Sequence, residues 1–322
     1  MKGSYTKVTT VRRCLRKAKY RYVDELEKVR KALPLVKGSL VHSCLEAHYT
    51  GKDWTLPIHE FVSETWNKLF EEEKEQYGDL PGDVYKIVAG YVRAYRSIDA
   101  STRTISTEKT LIVPSPSGRH ELEMRIDRIV EDEHGLWVED FKTCRTIPEE
   151  NVRHTDLQTM LYAWGASKDH KGIMGTMINY IRTKPPSMPS VLKTGGMSRA
   201  AVDTDWHTYA NALKQNGLDP SEYEDMKEKL RGKQFFKRSR LPINKRTLAV
   251  LLADLEDTLD IFQHSMDAEK FPRNVTRDCT WDCEYAPICF AELQGINPEA
   301  VIEEQYKIRG SKDDGEENDE EA

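Results

Sequence analysis

Nothing in the 322 residues approaches the roughly 18 consecutive apolar residues that a membrane-spanning helix requires. The opening Met1-Lys2-Gly3-Ser4-Tyr5-Thr6-Lys7 has no apolar run behind its charges, so it does not read as a secretory signal, and a cytoplasmic protein is expected. No internal repeat is visible at periods of about 20–50 residues. No Walker-type Gly-rich lysine loop occurs, which excludes a nucleotide-driven motor within the chain. There are only six cysteines, and a cytoplasmic chain of this size is not expected to use them as a disulfide framework.

One-sided charge is also lacking. The net charge of −6 sits in the final segment, Gly310–Ala322, where seven acids stand against one base. Without that segment 47 acids and 47 bases remain, so the body is neutral. Bulk charge therefore neither supports nor excludes a nucleic-acid partner, and the tail reads as a solubilising segment too polar to fold alone.

With 38% of residues hydrophobic and 32% charged, the chain can bury one sizeable core or two small ones. Apolar residues at helical spacing (Val8, Val11, Leu15, Ala18, Tyr22) predict one basic helix over 8–33. Gly38-Ser39 opens a second helix over 40–49, and further helices are expected at about 57–77 and 81–98, led by Pro57 and Pro81-Gly82. Residues 104–113, 121–131 and 136–142 are short, alternating and β-branched, which predicts a three-stranded antiparallel meander. A helix at about 152–167 and an apolar strand over 175–182 follow. The sum is an α/β arrangement, a mixed sheet flanked by helices. Residues 183–246 read as an irregular basic insertion, 247–268 as a helix and 271–294 as cysteine-bearing coil.

The chemistry concentrates on the meander. Asp140 and Lys142 are two apart on one strand, so both leave the same face, and Asp127 on the neighbouring strand can reach that face. Glu139 points to the other face and is discounted as a ligand. Glu108 on the first strand is a further carboxylate in reach. Two carboxylates and an ammonium at the edge of an apolar sheet are costly unless an ion or a function compensates. Phosphodiester hydrolysis needs such a set: carboxylate oxygens for Mg²⁺ or Mn²⁺, and an ammonium to orient water or to meet developing negative charge.

The sequence here resembles the PD-(D/E)XK nucleases, with Asp127 matching the first metal-binding Asp and Asp140-Phe141-Lys142 the (D/E)-x-K element. Ile126, not Pro, precedes Asp127, as in many RecB-like members. The resemblance extends to a His on a helix ahead of the sheet, here His42, and to Gln-x-x-x-Tyr after the lysine strand, here Gln158 and Tyr162. It implies a restriction-endonuclease-like core, catalytic residues Asp127, Asp140, Lys142, Gln158 and Tyr162, and a metal held by His42, Asp127, Asp140 and Phe141.

Cys44 and Cys144 lie within helix and strand patterns and read as packed thiols. Cys279, Cys283 and Cys289 crowd into a turn-rich segment, as soft-metal ligands do, and Cys14 is the best fourth ligand. Four cysteines suit either [4Fe–4S] or Zn²⁺. One cysteine ahead of the core and three behind it resembles the iron–sulfur RecB-type exonucleases, among them AddB-like subunits, CRISPR-associated exonucleases and bacteriophage relatives. The resemblance implies a [4Fe–4S] cluster closing a loop of more than 250 residues. The usual spacing is Cys-x₂-Cys-x₅-Cys; here the first gap is three.

Basic residues gather in the Cys14 helix, at Arg182–Lys193 and at Lys227–Arg246 around Phe235-Phe236, three candidate paths for DNA. The expected organisation is an N-terminal basic helix (1–36), a nuclease core (37–270) with an insertion at about 183–246, a cysteine-rich segment (271–309) and an acidic tail (310–322). The expected activity is metal-dependent DNA exonucleolysis favouring single-stranded ends, in phage or bacterial recombination or replication, with any helicase or recombinase in trans. Trimming of DNA for CRISPR adaptation and a non-catalytic DNA-binding scaffold are the alternatives, and an oligomer is compatible with the family.

Overall fold

A computed structural model of the chain describes residues 1–30, 33–148, 156–200 and 203–310. Two compact units emerge, one of residues 1–32, 112–124 and 246–322, the other of residues 33–111 and 125–245.

The larger unit holds a sheet and the helices that cover it. Helix α3 (Leu33–Tyr49) is followed by α4 (Leu56–Glu64), α5 (Glu71–Tyr77) and α6 (Leu80–Asp99). Strands β3 (Arg103–Pro114), β4 (Glu121–Asp132) and β5 (Gly135–Cys144) come next, Ile112–Met124 belonging to the smaller unit, then α7 (Leu157–Asp169) and β6 (Ile173–Arg182). β3 pairs with β4, and the order continues β4-β5-β6-β7, with β7 at Phe236–Pro242. β4 and β5 run antiparallel, β5 and β6 parallel, β6 and β7 antiparallel. The parallel step follows from α7, because strands of like direction need a crossover of a dozen or more residues.

α6 shows how sequence becomes packing. Asp79 caps it by accepting the Gly82 N–H at 3.1 Å, and Pro81 occupies its first turn, where no N–H is needed. Its apolar residues Leu80, Val84, Ile87, Val88, Tyr91 and Tyr95 fall on one stripe, and all are buried. They share a core with Leu40, Val41 and Leu45 of α3 and with Phe141 and Ile181 of the sheet. Each such side chain, fully buried, contributes about 1.5–3 kcal/mol.

The smaller unit contains β1 (Lys2–Gly3), α1 (Tyr5–Arg13), α2 (Leu15–Tyr22), β2 (Leu26–Lys28), α10 (Lys245–Asp267), α11 (Ala286–Leu293), α12 (Glu299–Gln305) and β8 (Tyr306–Ile308). β1 runs parallel to the first residues of β4, and β2 pairs antiparallel with β8.

Several expectations need correction. The single helix over 8–33 is two helices broken at Cys14, whose backbone is extended (φ −168, ψ 122), and the second ends at Tyr22. The apolar spacing runs through the break, so periodicity alone does not reveal it. Gly38-Ser39 does not open α3 but lies inside it; a Cβ at Gly38 would stand 3.1 Å from Thr143 Oγ1, so the glycine permits close packing on β5. The helix expected over 57–77 is interrupted by a 3₁₀ turn at Trp66–Lys68.

Residues 183–246 are not irregular. They contain α8 (Trp206–Gln215), α9 (Glu224–Leu230) and β7, with a small core of their own around Tyr209, Tyr223 and Met226. The segment over 271–294 includes α11, which carries Cys289. The start of the helix expected at 152 and the tail beyond Gly310 lie outside the described residues.

Candidate active site

β5 presents Asp140 and Lys142 on one face and Glu139 on the other, as strand alternation requires. The β4–β5 ladder runs from Asp132↔Gly135 to Arg128↔Glu139. One step further Asp127 would face Asp140. Instead, Asp127 Oδ2 accepts the backbone N–H of Phe141 at 2.8 Å, so its carboxylate takes up a donor on the strand that carries Asp140.

Lys142 completes the set. Its Nζ donates to Asp140 Oδ1 at 3.1 Å and to Gln158 Oε1, in the first turn of α7, at 2.6 Å. Asp140 Oδ2 lies 2.9 Å from the same ammonium but outside hydrogen-bonding geometry, and it is a buried oxygen with no hydrogen-bond partner. Tyr162, one turn beyond Gln158 on α7, is half-buried. On α3, His42 Nδ1 is 3.6 Å from Asp127 Oδ2, and the imidazole meets the Phe141 ring edge-on.

Glu108 of β3 joins this group. One ligand atom from each of His42, Glu108 and Asp127 lies within 4.8 Å of the others. Glu108 is a non-glycine residue with positive φ (46°), a conformation that persists only where surrounding structure imposes it. The consequence is visible in the neighbours. Thr104, four residues earlier, accepts from Arg128, whereas Glu108 pairs with Arg125 and approaches Asp127, on the opposite face of β4. In an unbroken strand Thr104 and Glu108 would share a face; the left-handed residue turns the carboxylate toward His42 and Asp127. Sequence patterning offered Glu108 only as an extra, because backbone handedness at a glutamate leaves no mark in periodicity.

The electrostatics follow from this crowding. Burial raises the Asp140 pKa above the ordinary carboxylate range, and Asp127 adds to the rise, with Lys142 opposing both. Burial disfavours a charged His42, but Asp127 and Asp140 outweigh it and the net shift is upward. Burial, then Asp127, pushes Glu108 up. Carboxylates held at such a separation are stabilised by a cation. The set of one imidazole nitrogen and several carboxylate oxygens, with one buried oxygen unbonded, fits Mg²⁺ or Mn²⁺. A cavity of about 450 Å³ opens onto it, lined by His42, Glu46, Glu108, Arg125 and Asp127 among others.

Glu139, behind the site, is fully buried and serves as a structural anion. It accepts from Arg128 at 2.6 Å and from Asn179 at 2.7 Å, with Arg238 3.5 Å away. Cys44 is buried in the core, where lack of water pushes its thiol up to about 12, and Cys144 packs beside Ile178 and Tyr180.

In the smaller unit Cys14, Cys279, Cys283 and Cys289 line one cavity, together with Arg13, Arg16, Lys17 and Arg273. The Asn274 N–H donates to Cys14 Sγ and the Thr276 N–H to Cys279 Sγ, each at 3.4 Å. Burial pushes the Cys283 thiol up, with the Tyr285 N–H and Lys17 opposing it. Among the described residues no three of these sulfurs lie within 4.8 Å of one another.

The model of the PD-(D/E)XK nuclease superfamily matches residues 2–290, and the chain belongs to that family. Its members are phosphodiester-cleaving nucleases that use divalent metals such as Mg²⁺ or Mn²⁺ and act on DNA. No curated protein matches the sequence. Among solved structures, the crystal structure of SSO0001 is similar at 13% identity and a TM-score of 0.35, over 89% of this chain and 85% of that one. Among the described residues no helix is long and apolar enough to cross a membrane.

Proposed function

We propose that this chain is a metal-dependent DNA exonuclease acting on single-stranded ends. The observation that carries the hydrolytic part is the junction at Lys142: its ammonium bridges Asp140 and Gln158 beside the His42–Glu108–Asp127 group. His42, Asp127, Asp140 and Phe141 would hold the metal, with Glu108 added to them. A bound Mg²⁺ or Mn²⁺ supplies positive charge to the scissile phosphate and lowers the pKa of water.

The remaining work falls to the chain. Lys142 meets the charge that develops on the phosphate oxygens, and its second bond, to Gln158, fixes the ammonium in place. The Phe141 N–H holds Asp127 in one orientation. Tyr162 borders the substrate from the same helix as Gln158. Exonucleolytic mode and single-strand preference draw support from the cysteine layout, which resembles that of iron–sulfur RecB-type exonucleases.

The same reading assigns Cys14, Cys279, Cys283 and Cys289 to a [4Fe–4S] cluster. Their common cavity and two N–H donors to sulfur suit anionic thiolates. The choice of cluster over zinc rests on the cysteine layout, one ahead of the core and three behind it. Bound there, a cluster would link the N-terminal helices to the segment after α10. Residues 1–36 and 271–309 then act as its scaffold, and 37–270 as the catalytic part. Phage or bacterial recombination or replication is the setting, with any helicase supplied in trans.

The test is digestion of 5′- and 3′-labelled single- and double-stranded DNA with Mn²⁺ or Mg²⁺, wild type beside Asp140→Asn, on protein purified without oxygen. Stepwise release of nucleotides from single-stranded ends by the wild type, lost in the variant, is the expected result. No metal-dependent cleavage by protein that retains its cluster overturns the reading in favour of a binding scaffold.

A further inference from the structure

The three basic runs that sequence marks as paths for DNA are largely neutralised by local partners. Arg13 pairs with Asp282, Arg16 with Glu292 and Lys17 with Glu284; Lys227 pairs with Glu224 and Arg231 with Glu228; Arg182 pairs with Asp203. A cation already matched to a carboxylate has less to offer a phosphate.

Two arginines outside those runs differ. Arg93 and Arg96 are exposed on α6, one turn apart, and neither has an acidic partner among the described residues. Like charges at this spacing repel. Both line a groove of about 770 Å³, shared with His48, Trp54, Asp99 and Arg128. Asp99, the one acid in that lining, is held by Arg238 at 2.7 Å and by the Tyr49 hydroxyl at 2.8 Å. The Arg128 guanidinium is likewise taken by Glu139. What the groove presents to an occupant is therefore the positive charge of Arg93 and Arg96.

It also presents ring surface. Tyr49 contributes little, because Phe141 stacks against it and Arg128 lies 3.8 Å from its centroid. His48 and the partly exposed Trp54 remain, each with one neighbouring ring, Tyr49 at 4.9 Å and Tyr85 at 5.2 Å, neither of them stacked flat. No lining residue is common to this groove and the cavity at the metal-binding group, although α3 contributes to both.

We propose that this groove binds single-stranded nucleic acid outside the cleavage site, Arg93 and Arg96 each meeting a backbone phosphate and Trp54 a base. Unopposed guanidinium groups beside an aromatic face are the chemistry that recognises an unpaired strand without regard to sequence. The proposal rests on the nuclease reading and extends it to the strand leading to or from the cleaved bond.

The test measures fluorescence anisotropy of labelled oligothymidylate and of a duplex, across a salt series, with the full chain. Wild type is compared with Arg93→Gln/Arg96→Gln and with Arg93→Lys/Arg96→Lys. The glutamine pair is expected to weaken single-strand binding about tenfold near 0.1 M salt and to reduce the slope of log K against log salt by about 1.4, or about 0.7 per lost phosphate contact. The lysine pair keeps most of the slope, and unchanged thermal midpoints separate the effect from misfolding.

Unchanged affinity and slope in the glutamine pair, from a wild type that cleaves DNA, overturn the groove and leave the nuclease standing. Loss confined to the duplex overturns the single-strand assignment. A wild type that neither binds nor cleaves DNA removes the nuclease reading, and this inference with it.

Discussion

Asp127 Oδ2 accepts the backbone N–H of Phe141 at 2.8 Å, which ties the first carboxylate of the site to the strand that carries the second. His42 Nδ1 and a Glu108 oxygen stand close to the same carboxylate. Asp127→Asn keeps an acceptor for that N–H but removes charge. Mn²⁺ affinity, read by electron paramagnetic resonance, is expected to fall by at least the roughly 10–100-fold typical of lost supporting contacts, with little change in thermal midpoint. Glu108→Gln is expected to weaken Mn²⁺ as well. Unaltered affinity in Glu108→Gln would remove Glu108 from the ligand set while leaving Asp127 in it.

Behind the site, Arg238 is the hub of a buried network. It donates to Asp99 at 2.7 Å, to Asn179 at 2.7 Å and to the Tyr91 hydroxyl at 2.9 Å, and Glu139 lies 3.5 Å away. Removing one partner of a buried ion pair leaves an uncompensated charge. Arg238→Ala is expected to destabilise the protein by about 3–5 kcal/mol in chemical denaturation. A loss below about 1 kcal/mol would mean that water reaches Glu139 and Asp99.

Glu256 on α10 carries a pH dependence that can be isolated. Burial raises its pKa, but hydrogen bonds from the Ser115 and Ser117 hydroxyls and the Ser117 N–H outweigh burial and bring it below the ordinary value. A group whose pKa is depressed in the folded state contributes stability above its unfolded pKa, about 4.3 for Glu. That contribution is lost as pH falls through the lower, folded value. Wild type should therefore lose stability below about pH 4.5 more steeply than Glu256→Gln. Parallel stability curves for the two proteins between neutral and acid pH would refute the assignment.

Cys14 occupies the break between α1 and α2, facing the cavity it shares with the three later cysteines. If these cysteines hold the proposed cluster, anaerobically purified Cys14→Ser loses most of the iron, sulfide and brown absorbance that the wild type carries. It should also unfold at lower temperature, because the link between chain ends is gone. Stoichiometric zinc in the wild type, with no iron, would replace the cluster by a structural zinc site.

Much of this was legible in sequence for a definite reason. The strands at 103–114, 121–132 and 135–144 announce themselves by period-two alternation bounded by Pro114 and Gly135. Asp140 and Lys142 could be placed on one face by counting alone, because the two-residue period of a strand is geometric. Gln158 and Tyr162 share a helical face for the same reason. The break at Cys14 was not legible, since apolar spacing continues across it, nor was β7, hidden among charges whose partners lie elsewhere in the chain. Arg238 reads as one more basic residue until Asp99 and Glu139 surround it.

Sequence by itself determined the kind of protein: the carboxylate–lysine spacing and the helical Gln and Tyr are local patterns, and local periodicity fixes which side chains share a face. Tertiary structure alone decided which charges are free to act. It brought Glu108 round to Asp127 through a left-handed residue and drew the four cysteines to one cavity. It also matched many of the conspicuous lysines and arginines to carboxylates while leaving Arg93 and Arg96 without an acidic partner among the described residues. Those outcomes depend on contacts between residues far apart in the chain, and the strength of a charge in a protein is set by its neighbours and its burial rather than by its position in the sequence.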